Sequence, residues 1–392
     1  MTAESHDAPG ARTHPPLHVG LNLIFVVPGE TGGMEVAARE LIPALVAAAP
    51  PQTRFSAFVG REAGPGPWDE LAEKIEVPVR ASRRSEWVRG EQLLLPRLAA
   101  RSGVDLLHSL ASTAPVRGPF TRVVTVHDLI YRHLPRSHIG VRSLGMRILV
   151  PRAVRSSHRV ITDSQATKRD LVELLGAPAE RVDVVPLGIG NPPRAQPLDE
   201  REVRERFAIG ERPVLLSLSA KRRHKNLDAL LEALALLPQR PLLILAGYPT
   251  PYEQVLRRHA QALGIGDDVR WPGWLSAAEL EALWRLTCGF VFPSLHEGFG
   301  LPVLEAMARG VAVACSNASS LPEVAGDAAL LFDPLDPSSI AQAIERLLGN
   351  GEDVQRLRVA GPQRAAQFSW QRTAEGTLAS YSRALAGPSA SA

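Results

Sequence analysis

The chain has few cysteines and no long apolar run, and these absences exclude several classes of protein. Its two cysteines, Cys288 and Cys315, form neither a CxxC pair nor a disulfide framework among 392 residues. Two buried thiols in a reducing, cytoplasmic compartment are therefore expected. No apolar run approaches the ~18 residues of a membrane-spanning helix. Residues 1–17 are polar and proline-rich, so they are interpreted as a loose tail and not as a signal peptide.

Signatures of several ligands are missing as well. There is no Gly-x-Gly-x-x-Gly fingerprint, which disfavours an NAD-dependent enzyme, and no Asp-x-Asp pair, which fits a site without a metal ion. A net charge of +3 is too small to indicate a nucleic-acid-binding protein. The hydrophobic content of 45% and the charged content of 22% are typical of a globular protein, and the length suggests two domains.

Short strands alternate with amphipathic helices along both halves of the chain. LHVGLNLIFVV precedes a glycine-rich turn and a helix, and RPVLLSLSA, PLLILAG and CGFVFPS repeat this arrangement in the second half. The alternation predicts an α/β protein with two doubly wound parallel-sheet domains facing each other across a cleft. A segment rich in proline, glycine and charge, residues 184–213, marks a boundary near residue 190. Ligands of such sheets bind outside the carboxyl ends of the strands.

The segment SLHEGFGLPVLEAMARG, residues 294–310, carries two glutamates eight residues apart. The sequence predicts a strand before it and a helix with Pro302 in its first position and Gly310 just past its end. Glu297 then lies in the loop and Glu305 one turn inside the helix. Two carboxylates beside flexible glycines and helix amides can bind separate hydroxyl pairs of a polyol. The spacing alone equally permits an acid that complements the helix dipole and a solvated Glu305.

Other predicted strand ends carry further candidates. LSAKRRHKN, residues 218–226, places basic residues where lysine and helix amides can bind a diphosphate, although a solvated basic turn is the usual explanation. His127 and Asp128 follow the strand TRVVTVHD. A histidine in this position is more often structural, and Asp128 either orients it or caps the next helix. Gly32 and Gly33 in PGETGG form a phosphate-cradle type of turn, which is weak evidence alone.

The stretch FVFPSLHEGFGLPVLEAMARGVAVACSNASSLPEVAGDAALLFDP resembles the retaining glycosyltransferases of family 4, and EGFGLPVLE resembles their E-x7-E signature. The similarity extends from about residue 20 to 385. It implies a GT-B fold with two Rossmann-like domains, an acceptor-side domain at residues 18–190 and a donor-binding domain at 191–368. A last helix at 369–387 is expected to pack back on the first domain, before a tail at 388–392.

The resemblance also implies roles for individual residues. Glu297 would contact the transferred sugar, Lys225 the diphosphate, and His127 the donor sugar and phosphate. Glu305 would contact the ribose, and the equivalent of the family's diphosphate-binding arginine is taken as Arg222 or Arg223. The implied donor contacts are, in chain order, Gly32, Gly33, Arg222, Arg223, Gly273, Trp274, Gly298, Phe299, Gly300, Leu301 and Glu305.

The function implied by this resemblance is a retaining transfer of a hexose from a nucleoside-diphosphate sugar to an acceptor hydroxyl, without a cofactor or a metal. HDLIYRHLP and HKNLDALLEAL most resemble the mannosyltransferase branch, so GDP-mannose is the first expected donor, with UDP-glucose or another hexose donor still open. The acceptor is expected to be a carbohydrate or a lipid-linked sugar. The alternatives are an inactive sugar-nucleotide-binding homologue or another GT-B enzyme, such as a phosphorylase or an epimerase.

Two arginine-rich regions of the first half belong to no predicted site. One surrounds Trp87, and the other lies between Leu129 and Thr162, where no acidic residue occurs. Basic clusters with apolar neighbours suit peripheral contact with an anionic membrane, although a solvated arginine-rich surface is the more usual explanation. The arginines are Arg80, Arg83, Arg84 and Arg89 in the first region, and Arg132, Arg136, Arg142, Arg147, Arg152, Arg155 and Arg159 in the second.

Overall fold

The computed structural model describes residues 16–134, 141–190, 195–349 and 351–387, so most of both predicted tails lies outside it. The described residues form two parallel sheets flanked by helices. The strands are β1 His18–Leu23, β2 Arg54–Val59, β3 Glu73–Glu76, β4 Leu106–Ser109, β5 Thr121–Thr125, β6 Arg159–Thr162, β7 Val182–Val184, β8 Val214–Leu218, β9 Leu242–Ala246, β10 Val269–Gly273, β11 Thr287–Phe292, β12 Val313–Ser316 and β13 Leu330–Phe332. The helices are α1 Gly33–Ala48, α2 Trp68–Leu71, α3 Arg84–Arg89, α4 Leu95–Arg101, α5 Ile130–His133, α6 Val141–Ser156, α7 Gln165–Leu175, α8 Glu200–Arg206, α9 Leu227–Leu236, α10 Glu253–Ala262, α11 Ala277–Leu286, α12 Leu301–Ala308, α13 Leu321–Ala325, α14 Pro337–Gly349, α15 Glu352–Ala365 and α16 Trp370–Leu385.

The strand order of each sheet contains one point at which successive crossovers change direction. The first sheet has the order β3-β2-β1-β4-β5-β6-β7 and reverses between β1 and β4. The second has the order β10-β9-β8-β11-β12-β13 and reverses between β8 and β11. Such switch points leave a crevice at the carboxyl ends of the strands where ligands bind. The prediction of two doubly wound α/β units is confirmed.

The strands are apolar on both faces because helices cover both faces. In β8, Val214 and Leu216 belong to one buried cluster, whereas Leu215 between them belongs to another on the opposite face. The first of these clusters also contains Val19 and Leu21 of β1, so apolar packing is continuous between the two sheets. We call the first sheet with its helices the first lobe, and the second sheet with its helices the second lobe.

The chain passes between the lobes twice, and the two crossings lie side by side. The N–H of Ile189 donates to the carbonyl of Phe368 at 3.2 Å. A Cβ on Gly188 would lie 2.2 Å from the backbone nitrogen of Trp370, so only glycine fits there. The last helix, α16, packs against α1 and against β5 and β6 of the first lobe. There the hydroxyl of Tyr381 lies 2.7 Å from Nδ1 of the buried His108.

Some local expectations differ from the structure. Pro302 occupies the second position of α12, after Leu301, because the helix begins one residue earlier than predicted. Cys315 is buried, but Cys288 is only half-buried at the start of β11, where its thiol donates to the carbonyl of Val214 at 3.0 Å. The short strands β3 and β7 were not predicted, since three or four residues carry too little pattern. Among the described residues, no helix is both long and apolar enough to cross a bilayer.

Candidate active site

Lys225 and Glu297 meet at the switch point of the second sheet. Lys225 lies in the loop after β8 and Glu297 in the loop after β11, and these two strands are neighbours. Nζ of Lys225 is 2.6 Å from Oε1 of Glu297, and the two side chains are 17% and 12% exposed. The ammonium group also lies over the ring of Phe292, 5.3 Å from its centroid. The sequence thus brings the two residues expected to bind diphosphate and sugar into direct contact.

The two loops that carry this pair are fixed to each other. Asn226, which has the left-handed φ of 56°, donates its side-chain amide to the carbonyls of Pro293 at 3.1 Å and Pro334 at 2.7 Å. The N–H of Leu295 donates to the carbonyl of His224 at 2.9 Å. These bonds satisfy buried backbone groups and hold the lysine loop against the glutamate loop.

The glycine-rich turn after Glu297 is held from behind by two serines that precede α13. Ser319 donates its hydroxyl to the carbonyl of Glu297 at 2.6 Å, and Ser320 donates to that of Phe299 at 2.6 Å. Gly300, with φ of +123°, caps α12. The side chain of Phe299 is buried, whereas Leu301 opens α12, whose first N–H groups have no acceptor within the helix. Backbone amides are thus the groups that this turn can offer to a ligand.

The lobes touch at Gly298. A Cβ on this residue would lie 1.9 Å from the carbonyl oxygen of His127, so the close approach of the two backbones requires glycine. Thr167 of α7 donates its hydroxyl to the same carbonyl at 3.3 Å. The contact places His127 of the first lobe beside the loop that carries Glu297.

His127 is held by a buried carboxylate. Its Nδ1 is 2.7 Å from Oδ2 of Asp163, and its Nε2 is 3.0 Å from the carbonyl of Leu110. Burial disfavours the imidazolium, but the negative charge and hydrogen bond of Asp163 outweigh it and raise the pKa of His127 to about 9. Asp128 does not orient the ring, since its carboxylate accepts from the N–H of Ile130 at the start of α5. His127 is therefore a positioned cation whose two N–H groups face the first lobe.

Glu305 lies on the second turn of α12, as predicted. Desolvation raises the pKa of its carboxyl. Arg309, one turn later, forms an ion pair with Glu281, so its charge is largely committed elsewhere. A partly desolvated carboxylate without a dedicated cation is suited to accept hydrogen bonds from ligand hydroxyls.

The basic residues near Lys225 have different surroundings. Lys221 is buried, and burial lowers its pKa to about 8. Its ammonium donates to the carbonyl of Gly247 at 2.8 Å, which fixes the loop after β8 to the loop after β9. Arg222 and Arg223 are both exposed. The guanidinium of Arg223 lies over the ring of Tyr252, 4.7 Å from its centroid. Both arginines lie in the segment before α9, near Lys225. A donor-binding role for either arginine stays a prediction.

The other predicted donor contacts lie at the ends of other strands. Gly32 and Gly33 are exposed where the loop after β1 enters α1, at the switch point of the first sheet; Gly32, with φ of 57°, is the last residue before the helix and Gly33 its first. Gly273 ends β10, the edge strand of the second sheet, with φ of 73°. Trp274 after it is 74% exposed. An exposed indole on that edge is available for stacking on a base, which stays a prediction.

Sequence reasoning missed several residues that shape this region. Asp163 follows β6, which is adjacent to β5, and the rule that neighbouring strand ends meet could have indicated it. Ser319 and Ser320 carried no signal, because their role depends on backbone contacts made across 22 and 23 residues.

Two parallel-sheet lobes that touch where the loops after β5 and β11 meet, with a Lys–Glu pair and a histidine beside that contact, define a glycosyltransferase of the GT-B type. Residues 31–190 match the model of the family described as Glycosyltransferase Family 4, and residues 199–364 match that of Glycosyl transferases group 1. The chain belongs to the family 4 glycosyltransferases.

Curated relatives and solved structures agree with this assignment. O-antigen chain mannosyltransferase B of Escherichia coli is 32% identical over 265 residues, which are 66% of this chain and 69% of that protein. Serotype-specific mannosyltransferase WbdA of Escherichia coli is 31% identical over 280 residues, which are 68% of this chain and 34% of that longer protein. Sucrose-phosphate synthase from Thermosynechococcus elongatus has the same fold, with a TM-score of 0.77 at 21% identity over 94% of this chain and 99% of that one.

Proposed function

We propose that the protein transfers mannose from GDP-mannose to a hydroxyl of a glycan acceptor, with retention of the anomeric configuration and without a catalytic metal ion. The observation that carries this proposal is the Lys225–Glu297 pair, 2.6 Å apart at the switch point of the second sheet. A cation for the diphosphate and a carboxylate for the sugar are the two groups that a sugar-nucleotide donor requires side by side.

Positive charge for the departing diphosphate comes from three sources on the two lobes. Lys225 lies beside the second-lobe crevice, and the N-terminus of α12 offers its helix dipole. The imidazolium of His127 adds charge only at longer range, because its two N–H groups stay bonded to Asp163 and to the carbonyl of Leu110. Preorganised charge of this kind stabilises the negative charge that develops on the leaving phosphate. Glu297 and Glu305 then accept hydrogen bonds from the hydroxyls of the sugar and the ribose.

Retention follows if the acceptor attacks from the face that the diphosphate leaves. The bond between the anomeric carbon and the phosphate oxygen breaks, and a bond to the acceptor oxygen forms on the same face. The proton of the acceptor hydroxyl passes to the departing phosphate oxygen, so no enzymatic nucleophile is required. Contact of the lobes at Gly298 and His127 limits access of water, which would otherwise hydrolyse the donor.

Mannose and a glycan acceptor are proposed because of the relatives. Both Escherichia coli relatives are named mannosyltransferases, and one is named for the O-antigen chain. GDP is proposed over UDP because these relatives are named for mannose transfer.

The test is a binding and transfer experiment on the full chain. Calorimetric titration with GDP-mannose, UDP-glucose and ADP-glucose identifies the donor, and Glu305→Ala is expected to weaken its binding while Glu345→Ala, an exposed acid on α14, does not. Transfer of labelled sugar to mannose oligosaccharides, with the new anomeric centre read by NMR, tests retention. Undiminished transfer in excess EDTA is expected. Donor binding without transfer to any acceptor would favour the inactive homologue, and phosphate-dependent cleavage would favour a phosphorylase.

We also propose that one face of α6 contacts an anionic membrane. Arg147, Ile148, Arg152 and Arg155 are exposed on this helix at spacings of about one turn, and Ile148 is 43% exposed. The other residues of the arginine-rich regions are less suited to membrane contact than the sequence indicates. Trp87 is buried in the core, Arg83 pairs with Glu86 and Arg159 pairs with Asp183. Arg136 and the side chain of Arg142 lie outside the described residues.

Vesicle flotation tests this contact. Binding to phosphatidylglycerol vesicles, absent with phosphatidylcholine alone, is expected to weaken about 100-fold when Arg147, Arg152 and Arg155 are all changed to serine, since each contributes about 1 kcal/mol. Equal flotation of the variant would refute the proposal.

A further inference from the structure

Three potential metal ligands from both lobes converge beside the candidate active site. His133 ends α5 and Asp170 lies on α7, both in the first lobe, and His296 precedes Glu297 in the second. Nε2 of His133 is 2.8 Å from Oδ2 of Asp170, and Nε2 of His296 is 3.4 Å from the same oxygen. The three ligand atoms all lie within 4.8 Å of one another.

Apart from these contacts with one another, two of the three ligand atoms have no partner among the described residues. Oδ2 of Asp170 and Nε2 of His296 are buried, and neither has a well-aligned hydrogen-bond partner among the described residues. The side chain of His296 is only 10% exposed, and that of Asp170 14%. Each buried polar atom without a partner lowers the stability of the fold by about 1–3 kcal/mol, so a bound ligand at such atoms would be stabilising.

The donor set and its spacing fit a divalent transition metal. Two imidazoles and one carboxylate are typical ligands of Zn²⁺, and tetrahedral bonds of about 2.0–2.1 Å place ligand atoms about 3.3 Å apart. The distances from Oδ2 of Asp170 to the two Nε2 atoms, 2.8 and 3.4 Å, are close to that value. The rings of His133 and His296 are stacked, with centroids 4.2 Å apart, so both can present Nε2 to one point. His133 is 35% exposed, which leaves room for a water or a fourth ligand.

We propose that His133, Asp170 and His296 bind a transition-metal ion, with Zn²⁺ the expected ion, that links the two lobes. The site is separate from the Lys225–Glu297 pair, and the proposal does not depend on the identity of the donor. Because His296 adjoins Glu297 in sequence, an ion held here fixes the sugar-binding loop against the first lobe. Its role is therefore to stabilise the lobe contact, and the transfer step itself does not use it.

The test uses the full chain and Co²⁺, whose visible absorption reports a low-symmetry site with nitrogen and oxygen ligands. One equivalent of Co²⁺ is expected to bind, to be displaced by Zn²⁺, and to raise the thermal midpoint. We expect Co²⁺ affinity to fall at least about tenfold in each of the variants His133→Ala, Asp170→Asn and His296→Ala. Loss of a residue that only hydrogen-bonds to a metal ligand already lowers metal affinity about tenfold, and these residues are proposed to be the ligands themselves. The need for residues of both lobes distinguishes a linking site from ordinary surface binding.

A matched control is available in His259. Its Nε2 faces Glu232 at 3.3 Å, and it has no third ligand in the part of the chain described. His259→Ala is expected to bind Co²⁺ like the parent chain. The proposal is overturned if the parent binds no Co²⁺, or if the three ligand variants bind it as the parent does. Should the buried variants unfold, the half-exposed His133→Ala decides the question alone, with its fold checked by circular dichroism.

Discussion

Replacing Lys225 provides the sharpest test of the proposed site. Lys225→Ala removes the cation 2.6 Å from Glu297 that would face the departing diphosphate. Loss of one preorganised group of this kind lowers kcat about 10²–10³-fold. Glu297→Gln, which keeps the shape but not the charge, is expected to have an effect of similar size.

The same pair contributes to stability by an amount that its burial bounds. The side chains are 17% and 12% exposed, so the pair lies between exposed pairs, worth about 0.2–1 kcal/mol, and fully buried ones, whose disruption costs about 3–5 kcal/mol. Each single substitution is therefore expected to lower the free energy of unfolding by about 1–3 kcal/mol. The double variant should lose less than the sum, because the second change removes the charge that the first left unpaired.

The assay combines kcat at saturating donor with urea denaturation of the parent, both single variants and the double variant. Arg201→Ala is the control, because Arg201 forms an ion pair with Glu205 in which the side chains are 87% and 68% exposed. It should change neither quantity appreciably. Near-normal turnover by Lys225→Ala or Glu297→Gln would refute the site, and strictly additive stability changes would refute the coupling.

Three further predictions follow from single contacts. The pKa of His127 is raised from 6.5 to about 9, so its stabilisation is complete below pH 6.5 and is lost as the pH rises through 9. Urea denaturation should show a loss of up to about 3 kcal/mol over that window, abolished in Asp163→Asn. Gly298→Ala places a Cβ 1.9 Å from the His127 carbonyl and should lower both the thermal midpoint and transfer, whereas a normal midpoint would contradict the close approach. Tyr381→Phe removes its bond to His108 and should cost about 1–3 kcal/mol in unfolding with kcat unchanged.

The fold and the main charged residues could be predicted because their signals are local. Apolar runs of strand length alternating with helical stretches specify parallel sheets, and a residue that follows a buried strand must lie at the edge of the sheet. Lys225 and Glu297 were therefore each predicted to follow a strand, Lys225 after LLSLSA and Glu297 after CGFVFPS. That the two side chains touch was not predicted, since it depends on strand order.

Other features of the site are not evident from the sequence because they arise from tertiary packing. Lys221 and Lys225 are both lysines of the same basic turn, yet the first is buried on a carbonyl and the second faces Glu297. The difference comes from the short 3-10 turn Arg223–Lys225, which redirects the chain between them. His127 and Asp163 are 36 residues apart, and only the rule that neighbouring strand ends meet, applied to β5 and β6, could have indicated their pairing.

On the proposed function, the Lys225–Glu297 pair would also make binding of the two parts of the donor mutually dependent. A diphosphate that takes Lys225 removes the partner of Glu297, whose side chain is only 12% exposed. An unpaired carboxylate in that setting is costly unless other donors replace the ammonium, and sugar hydroxyls can do so through charge-assisted hydrogen bonds. A nucleoside diphosphate without its sugar leaves that carboxylate unsatisfied. We therefore expect the proposed site to bind the intact donor more tightly than the nucleoside diphosphate, a difference that would promote product release after transfer.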